Sequence, residues 1–162
     1  MDKLLTVVIP SYNVEKFLNQ TLDSFVCDEA VMKKFEVIVV DDGSKDNTAK
    51  IGKEYADKYP DTFRVISKEN GGHGSTINCG IRNAVGKYFK VVDGDDWVNT
   101  ADFVKLIEDL EKPNPNMCLQ TIMSIMTTST AKRLLIFRSS KTVRNMTSPM
   151  LQIRFIYLCT PL

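Results

Sequence analysis

Asp93, Asp95 and Asp96 stand within four residues of one another, directly after an apolar run that starts at Tyr88 and ends on Val91 and Val92. Such a run reads as a buried strand, and its acidic end emerges at the carboxyl edge of a sheet. Carboxylates packed so closely repel unless a cation sits among them. Oxygen ligands around a glycine turn suit a hard cation, Mg²⁺ or Mn²⁺, and not zinc. The plain alternative is a solvated acidic turn that caps the next helix.

Three further polar clusters carry residues able to do chemistry. Pro10-Ser11-Tyr12-Asn13 offers an aromatic ring after an apolar stretch. Asp41-Asp42-Gly43-Ser44 repeats the pattern of carboxylates at a strand end. Glu69-Asn70-Gly71-Gly72-His73-Gly74-Ser75 is a glycine-rich loop that opens a helix. A helix N-terminus presents N–H groups to phosphate, but this loop lacks the lysine of a P-loop and the spacing of a dinucleotide fingerprint. A structural turn is the equal alternative.

The elements that position these clusters read off in order. Leu4 to Ile9 is β-branched and apolar, as a strand covered on both faces would be, and Pro10 is expected to end it. Phe17, Leu18, Thr21, Leu22 and Phe25 recur at helical spacing and predict a helix over 14–26. A second strand is predicted at 35–40. The next helix, capped by Ser44 or Asp46, carries Ile51, Tyr55 and Ala56 and stops before Pro60. A third strand covers 63–66, a helix 75–84 and a fourth strand 88–92. A last helix, capped by Asn99 or Thr100, bears Phe103, Val104, Ile107 and Leu110.

Strands alternating with helices through short loops predict an α/β fold, a mostly parallel sheet with helices on both faces. All four polar clusters then fall at the carboxyl edge, where such sheets bind ligands.

The 162 residues divide in composition. Residues 1–111 hold 14 Lys/Arg and 20 Asp/Glu, a balance of −6, whereas residues 112–162 hold seven Lys/Arg with no Asp, Glu or Gly, a balance of +7. A stretch of that length ordinarily carries about six acidic residues. The division predicts a nucleotide-binding core over 1–111 and an atypical, irregular tail over 112–162, out of frame or truncated after about Glu111. A basic binding tail is the alternative, although such tails are usually poorer in Ile, Leu and Met. Leu134 to Phe137 and Ile153 to Leu158 are candidate strands within it. Neither a signal peptide nor an apolar run of bilayer length is evident. Cys27, Cys79, Cys118 and Cys159 show no CxxC spacing, so a reduced, cytoplasmic setting without zinc or disulfides is expected.

The blocks Thr6-Val7-Val8-Ile9-Pro10-Ser11-Tyr12-Asn13, Val39-Val40-Asp41-Asp42-Gly43-Ser44, Asn70-Gly71-Gly72 and Asp93-Gly94-Asp95-Asp96 resemble, in order and spacing, the family 2 glycosyltransferases of GT-A (Rossmann-like) fold. The resemblance covers about residues 3–111. It implies a nucleotide-sugar donor, with a UDP-sugar as the commonest choice, a divalent cation (Mg²⁺ or Mn²⁺), and inverting transfer to a saccharide or glycolipid acceptor. No nucleic-acid partner is implied, and the parent enzyme would work in the cytoplasm or at the inner face of the membrane.

Residue by residue, Asp95 matches the metal-contacting aspartate, with Asp93 and Asp96 completing the cluster. Asp42, beside Asp41, matches the acceptor for the base; Pro10 and Tyr12 match the loop along the nucleoside. Gly71 and Gly72 match the donor-side loop. His73, the single histidine, is expected to be a loop or substrate contact. Lys68 and Arg82 are candidates to neutralise the diphosphate, with exposed salt bridges as the plainer reading.

The family draws its catalytic base from an acid beyond the metal motif, and residues 112–162 contain none. Glu111 closes the last helix, ~16 Å along the axis from the strand edge. The chain is therefore expected to bind donor without turning it over. Two other classes compete. A catalytically silent nucleotide-binding module gains from the missing base. A receiver-type phosphorylation module places its acidic pair after the first strand, where this chain has Pro10-Ser11-Tyr12-Asn13.

Overall fold

A computed structural model of the chain describes residues 3–112 and 136–138. Its sheet has the order β3-β2-β1-β4-β5. Strands β1 (Leu5–Ser11), β2 (Phe35–Asp41), β3 (Phe63–Ser67) and β4 (Tyr88–Val91) are parallel, and β5 (Ile136–Arg138) runs antiparallel beside β4. The expected α/β architecture, a mostly parallel sheet, is what forms. Every residue of β1 and β2 is buried, which accounts for their unbroken Val/Ile composition.

Alternate side chains divide between two layers. Leu5, Val7, Ile9, Val37 and Val39 pack with Leu18 and Leu22 of α1 (Glu15–Asp23), Ile51 of α3 (Thr48–Lys58), and Phe103, Leu106 and Ile107 of α5 (Thr100–Glu111). Val8, Ile38, Val40 and Phe89 face the other way, against Cys79 and Ile81 of α4 (His73–Asn83). Phe103 meets Phe25 and Phe35 edge-on, each at 5.0 Å between centroids, which seats α5 under the sheet.

Pro10 does not end its strand. β1 continues through it to Ser11, with Pro10 in register with Val40. The ladder to β4 stops at Val8 paired with Val91, and Ser11, the next residue, turns its carbonyl towards the N–H of Asp42 on the β2 side. Since backbone groups alternate sides, the nitrogen of Pro10 faces the side where no ladder remains, so its missing N–H costs nothing.

Helix boundaries differ from expectation at several points; α1 closes at Asp23, three residues short of the expected 26. A short α2 (Glu29–Met32) follows Asp28, whose carboxylate accepts from the Ala30 N–H; one turn is too short for a periodicity to reveal. α3 starts after Asn47, one residue beyond Asp46, whose Oδ1 still accepts from the Thr48 N–H at 3.0 Å while its Oδ2 and the Ser44 hydroxyl are engaged with the loop after β1. α4 starts at His73, two residues early. The last helix begins as expected, with Asn99 accepting from the Asp102 N–H.

Of the segment 112–162, only Lys112 and Ile136–Arg138 lie among the described residues. Ile136–Arg138 overlaps the expected strand at 134–137 and pairs through Ile136 with Lys90, Phe137 with Phe89 and Arg138 with Tyr88. The expectation of an irregular tail and the second candidate strand, 153–158, otherwise fall outside the described residues. Among the described residues no helix is long and apolar enough to cross a membrane.

Candidate functional site

The parallel register brings the ends of β1, β2 and β4 to one edge, and short contacts hold the turns that leave them. Asp41, the last residue of β2, is buried and its Oδ1 accepts from the Ser44 N–H at 3.1 Å, which closes the turn after the strand. Gly43 sits there at φ 73°, a conformation a side chain strains, and a Cβ on it would stand 3.2 Å from the Asn70 nitrogen.

Asp42 is the hub of the edge. Its side chain is 4% exposed; Oδ1 accepts from Lys68 Nζ at 2.5 Å and the Gly71 N–H at 2.9 Å, and Oδ2 accepts from the Gly72 N–H at 2.7 Å. Burial alone would raise this carboxyl; the Lys68 hydrogen bond, the two glycine N–H groups and the Lys68 charge outweigh it and hold Asp42 below its ordinary value. Of the two alternatives for the glycine-rich loop, this arrangement favours the structural turn. The N–H groups of Gly71 and Gly72 are directed at Asp42, the nearest fixed negative charge.

Lys68 likewise forms a half-buried salt bridge with Asp42 and does not stand free for a diphosphate. Arg82 lies in the last turn of α4, roughly 14 Å down the axis from His73. Among the described residues it makes no ion pair.

The acidic turn is fastened to α1. Thr21 Oγ1 donates to the Gly94 carbonyl at 2.9 Å, Ser24 Oγ accepts from the Val98 N–H at 3.2 Å, and Thr100 Oγ1 donates to the Ser24 carbonyl at 2.9 Å. Gly94 is buried, and a Cβ there would stand 3.0 Å from Val14 Cγ2 and 3.2 Å from the Pro10 carbonyl. The turn therefore lies directly against the end of β1, with Asp93 and Asp95 exposed and Asp96 half-buried. Burial, then the charges of Asp95 and Asp93, raise the Asp96 carboxyl. His73 Nε2 stands 3.8 Å from Asp93 Oδ1, so the start of α4 faces the turn.

Among the described residues no three His, Cys, Asp or Glu side chains converge as a ready-made metal cage. The donor chemistry nevertheless fits a hard cation. Mg²⁺ characteristically takes one or two carboxylates and completes its shell with water and substrate phosphate, and the mutual repulsion recorded in Asp96 is what a cation relieves.

Tyr12, just past the end of β1, is 48% exposed at the same edge. The loop bearing Tyr12 is laced to the loop after β2. Asn13 N–H donates to Ser44 Oγ at 3.0 Å, Lys45 N–H to Asn13 Oδ1 at 2.9 Å, Val14 N–H to Thr48 Oγ1 at 2.9 Å and Glu15 N–H to Asp46 Oδ2 at 3.1 Å. Glu15 Oε2 returns the favour, accepting from Asn47 N–H and Nδ2 at 2.9 Å each. Sequence reading missed this lacing, and it missed Thr21 and Ser24 as anchors. Helix-capping residue types crowd both loops, which is a signal, but nothing in a linear sequence says that the two crowds bond to each other.

Glu111 pairs with Lys34 at 2.8 Å, just before β2 begins, and so lies at the opposite end of the sheet from the acidic turn. It is out of reach as a base.

The family model for glycosyl transferase family 2 matches residues 6–159. Among curated relatives, the uncharacterized glycosyltransferase EpsJ of Bacillus subtilis is 39% identical over 112 residues, 69% of this chain and 32% of its own. Glycosyltransferase GlyA of Streptococcus pneumoniae is 36% identical over 107 residues, 66% of this chain and 15% of its own. The chain thus spans about a third or less of the length of these relatives. Among solved structures, S. aureus TarS in complex with UDP-GlcNAc superposes with TM-score 0.57 and 32% identity over 65% of this chain and 31% of that one. The mannosyltransferase PcManGT from Pyrobaculum calidifontis, in complex with GDP-Man and Mn²⁺, superposes with TM-score 0.60 over 75% of this chain and 39% of that one; at 22% identity it shows the fold alone.

Proposed function

The chain belongs to glycosyl transferase family 2, and from that premise we propose that residues 3–112 form the donor-binding half of an enzyme that transfers a sugar from a nucleoside diphosphate to an acceptor with inversion. One observation carries the reading: Tyr12, Asp42 and the Asp93–Asp96 turn, from three strands, meet at one edge and are braced there by hydrogen bonds between elements far apart in the chain.

In this reading Tyr12 lies along the base, its exposed ring free to stack. Asp42 keeps one acceptor position on Oδ2 beyond the Gly72 N–H, and a base N–H fills it. The UDP-GlcNAc complex of TarS supports uridine as the nucleoside. Asp95, with Asp93 or Asp96, would hold a divalent cation together with the diphosphate. Bound there, it supplies Lewis-acid neutralisation of the departing diphosphate. His73 faces that turn from the α4 side, its Nε2 3.8 Å from Asp93 Oδ1 and beyond hydrogen-bond length.

Among residues 1–162 no carboxylate is placed to take the proton of an acceptor hydroxyl. Residues 112–162 carry no acid, and Glu111 is held at the far end of the sheet. Losing a general base costs roughly 10²–10⁴-fold in rate.

Calorimetry with UDP and Mn²⁺, beside an assay of UDP release and sugar transfer, tests both statements. Metal-dependent binding with negligible turnover is expected. No binding of any nucleoside diphosphate rejects the donor-site reading. Robust transfer abolished by His73→Ala rejects the missing base and makes the histidine that base.

A further inference from the structure

Lys68 is the unexplained charge at this edge. It is a cation in a donor site, which invites pairing with the diphosphate, yet its contacts lead elsewhere. Its Nζ is 2.5 Å from Asp42 Oδ1 and also donates to the Glu69 carbonyl, and its side chain is 22% exposed. The lysine thus closes a small ring: strand end, carboxylate, ammonium and the loop that begins at Lys68 itself.

The ring has a geometric consequence for Asp42. Lys68 and the Gly71 N–H both fall on Oδ1, while Oδ2 receives the Gly72 N–H alone. An ionised carboxylate offers about four lone-pair positions. Three are filled, and the fourth is on Oδ2. A side chain held at three points cannot rotate, so the last acceptor has a fixed direction.

Resting on the donor-site reading above, we propose that Lys68 is a positioning residue for nucleoside recognition: it turns the buried Asp42 carboxylate so that Oδ2 alone meets the base. Lys68 acts on the base through Asp42 and does not touch the phosphates. It also holds the loop 68–72 shut. The loop's fit is tight there: a Cβ on Gly71 would stand 3.0 Å from Lys68 Nζ and 2.7 Å from Ser75 Oγ. Released from Lys68, the loop and the first turn of α4 are tied to Asp42 only by two N–H groups.

The test separates base from phosphate. Uridine, which has no phosphate, and UDP with Mn²⁺ are titrated into wild type, Lys68→Met and Lys68→Arg, by NMR for the weak nucleoside and by calorimetry for UDP. Lys68→Met keeps the apolar stem, and its melting temperature is measured alongside. The expected result is a loss of about tenfold for uridine and UDP alike, the size of one charge-assisted hydrogen bond, with partial recovery in Lys68→Arg. Loss for UDP with uridine unchanged would place Lys68 on the diphosphate and overturn the proposal. Unchanged binding of both would also overturn it. Wild type that binds neither ligand rejects the donor-site reading itself, a distinct outcome.

Discussion

Thr21, on the buried face of α1, donates its hydroxyl to the carbonyl of Gly94, 73 residues later, at 2.9 Å. The bond fixes the acidic turn to a helix that the opposite end of the site also uses, since α1 begins in the lacing to the loop after β2. Thr21→Val keeps the shape and leaves the Gly94 carbonyl without this donor. A loss of about 1 kcal/mol in urea unfolding is expected. Metal-dependent UDP affinity should fall as well, because the carboxylates on either side of Gly94 lose their anchor. Unaltered UDP affinity at reduced stability would show that the turn keeps its place without Thr21.

Asp95→Ala and Asp42→Ala should weaken UDP binding in different ways. Asp95→Ala should abolish the gain from added Mn²⁺. Asp42→Ala should lower affinity with the Mn²⁺ dependence intact, since its partners are Lys68, Gly71 and Gly72 and not the acidic turn. Calorimetry at several Mn²⁺ concentrations distinguishes them. Identical metal dependence in wild type and Asp95→Ala would remove that residue from the cation.

Lys90 should make stability depend on alkaline pH. It lies within β4 at 9% exposure, and burial pushes its ammonium down to about 8, with no acid contributing. The unfolded chain, with an ordinary lysine near 10.5, holds the proton longer as pH rises. Stability should therefore increase between about pH 8 and 10.5, and the penalty should be complete below that window, at about 3 kcal/mol. Lys90→Met should flatten this part of the profile and raise stability at pH 7. Denaturation curves from pH 7 to 10.5 check both; an unchanged slope in Lys90→Met would assign the dependence to another group.

Glu36 should be the costliest carboxylate to remove outside the site. Buried on the α4 side of β2, it accepts from Thr6 Oγ1 at 2.5 Å, Arg64 Nε at 3.0 Å and the Val85 N–H at 2.8 Å. Thr6 Oγ1 in turn accepts from the Gly86 N–H at 2.9 Å, so one side chain ties β1, β3 and the α4–β4 connection together. Glu36→Gln should cost about 2 kcal/mol or more, because a neutral amide cannot serve all three donors. Urea unfolding measures this. A change below 0.5 kcal/mol, the ordinary range for a surface substitution, would mean the network is expendable.

Much of the fold over residues 3–112 was legible in the order of residues. Val7, Val8 and Ile9, and Val37 to Val40, read as strands covered on both faces, since short continuous runs of β-branched residues favour a strand over a buried helix. Strands of that kind alternating with helices run parallel, and a parallel sheet gathers its strand-end turns at one edge. The sequence by itself therefore determined that Tyr12, Asp42 and Asp95 share a neighbourhood. Tertiary structure decided what each is joined to. Pro10 remains within its strand because β4 stops short beside it. Gly71 and Gly72 direct their N–H groups at Asp42 because the packing of their loop sets that buried carboxylate 2.9 and 2.7 Å away. Thr21 holds Gly94, and Glu15 holds Asn47, across gaps of 73 and 32 residues. Hydrogen bonds are short and directional, so which donor meets which acceptor depends on a few tenths of an ångström between elements far apart in the chain. Periodicity and residue type place elements; only their packing against one another sets those distances.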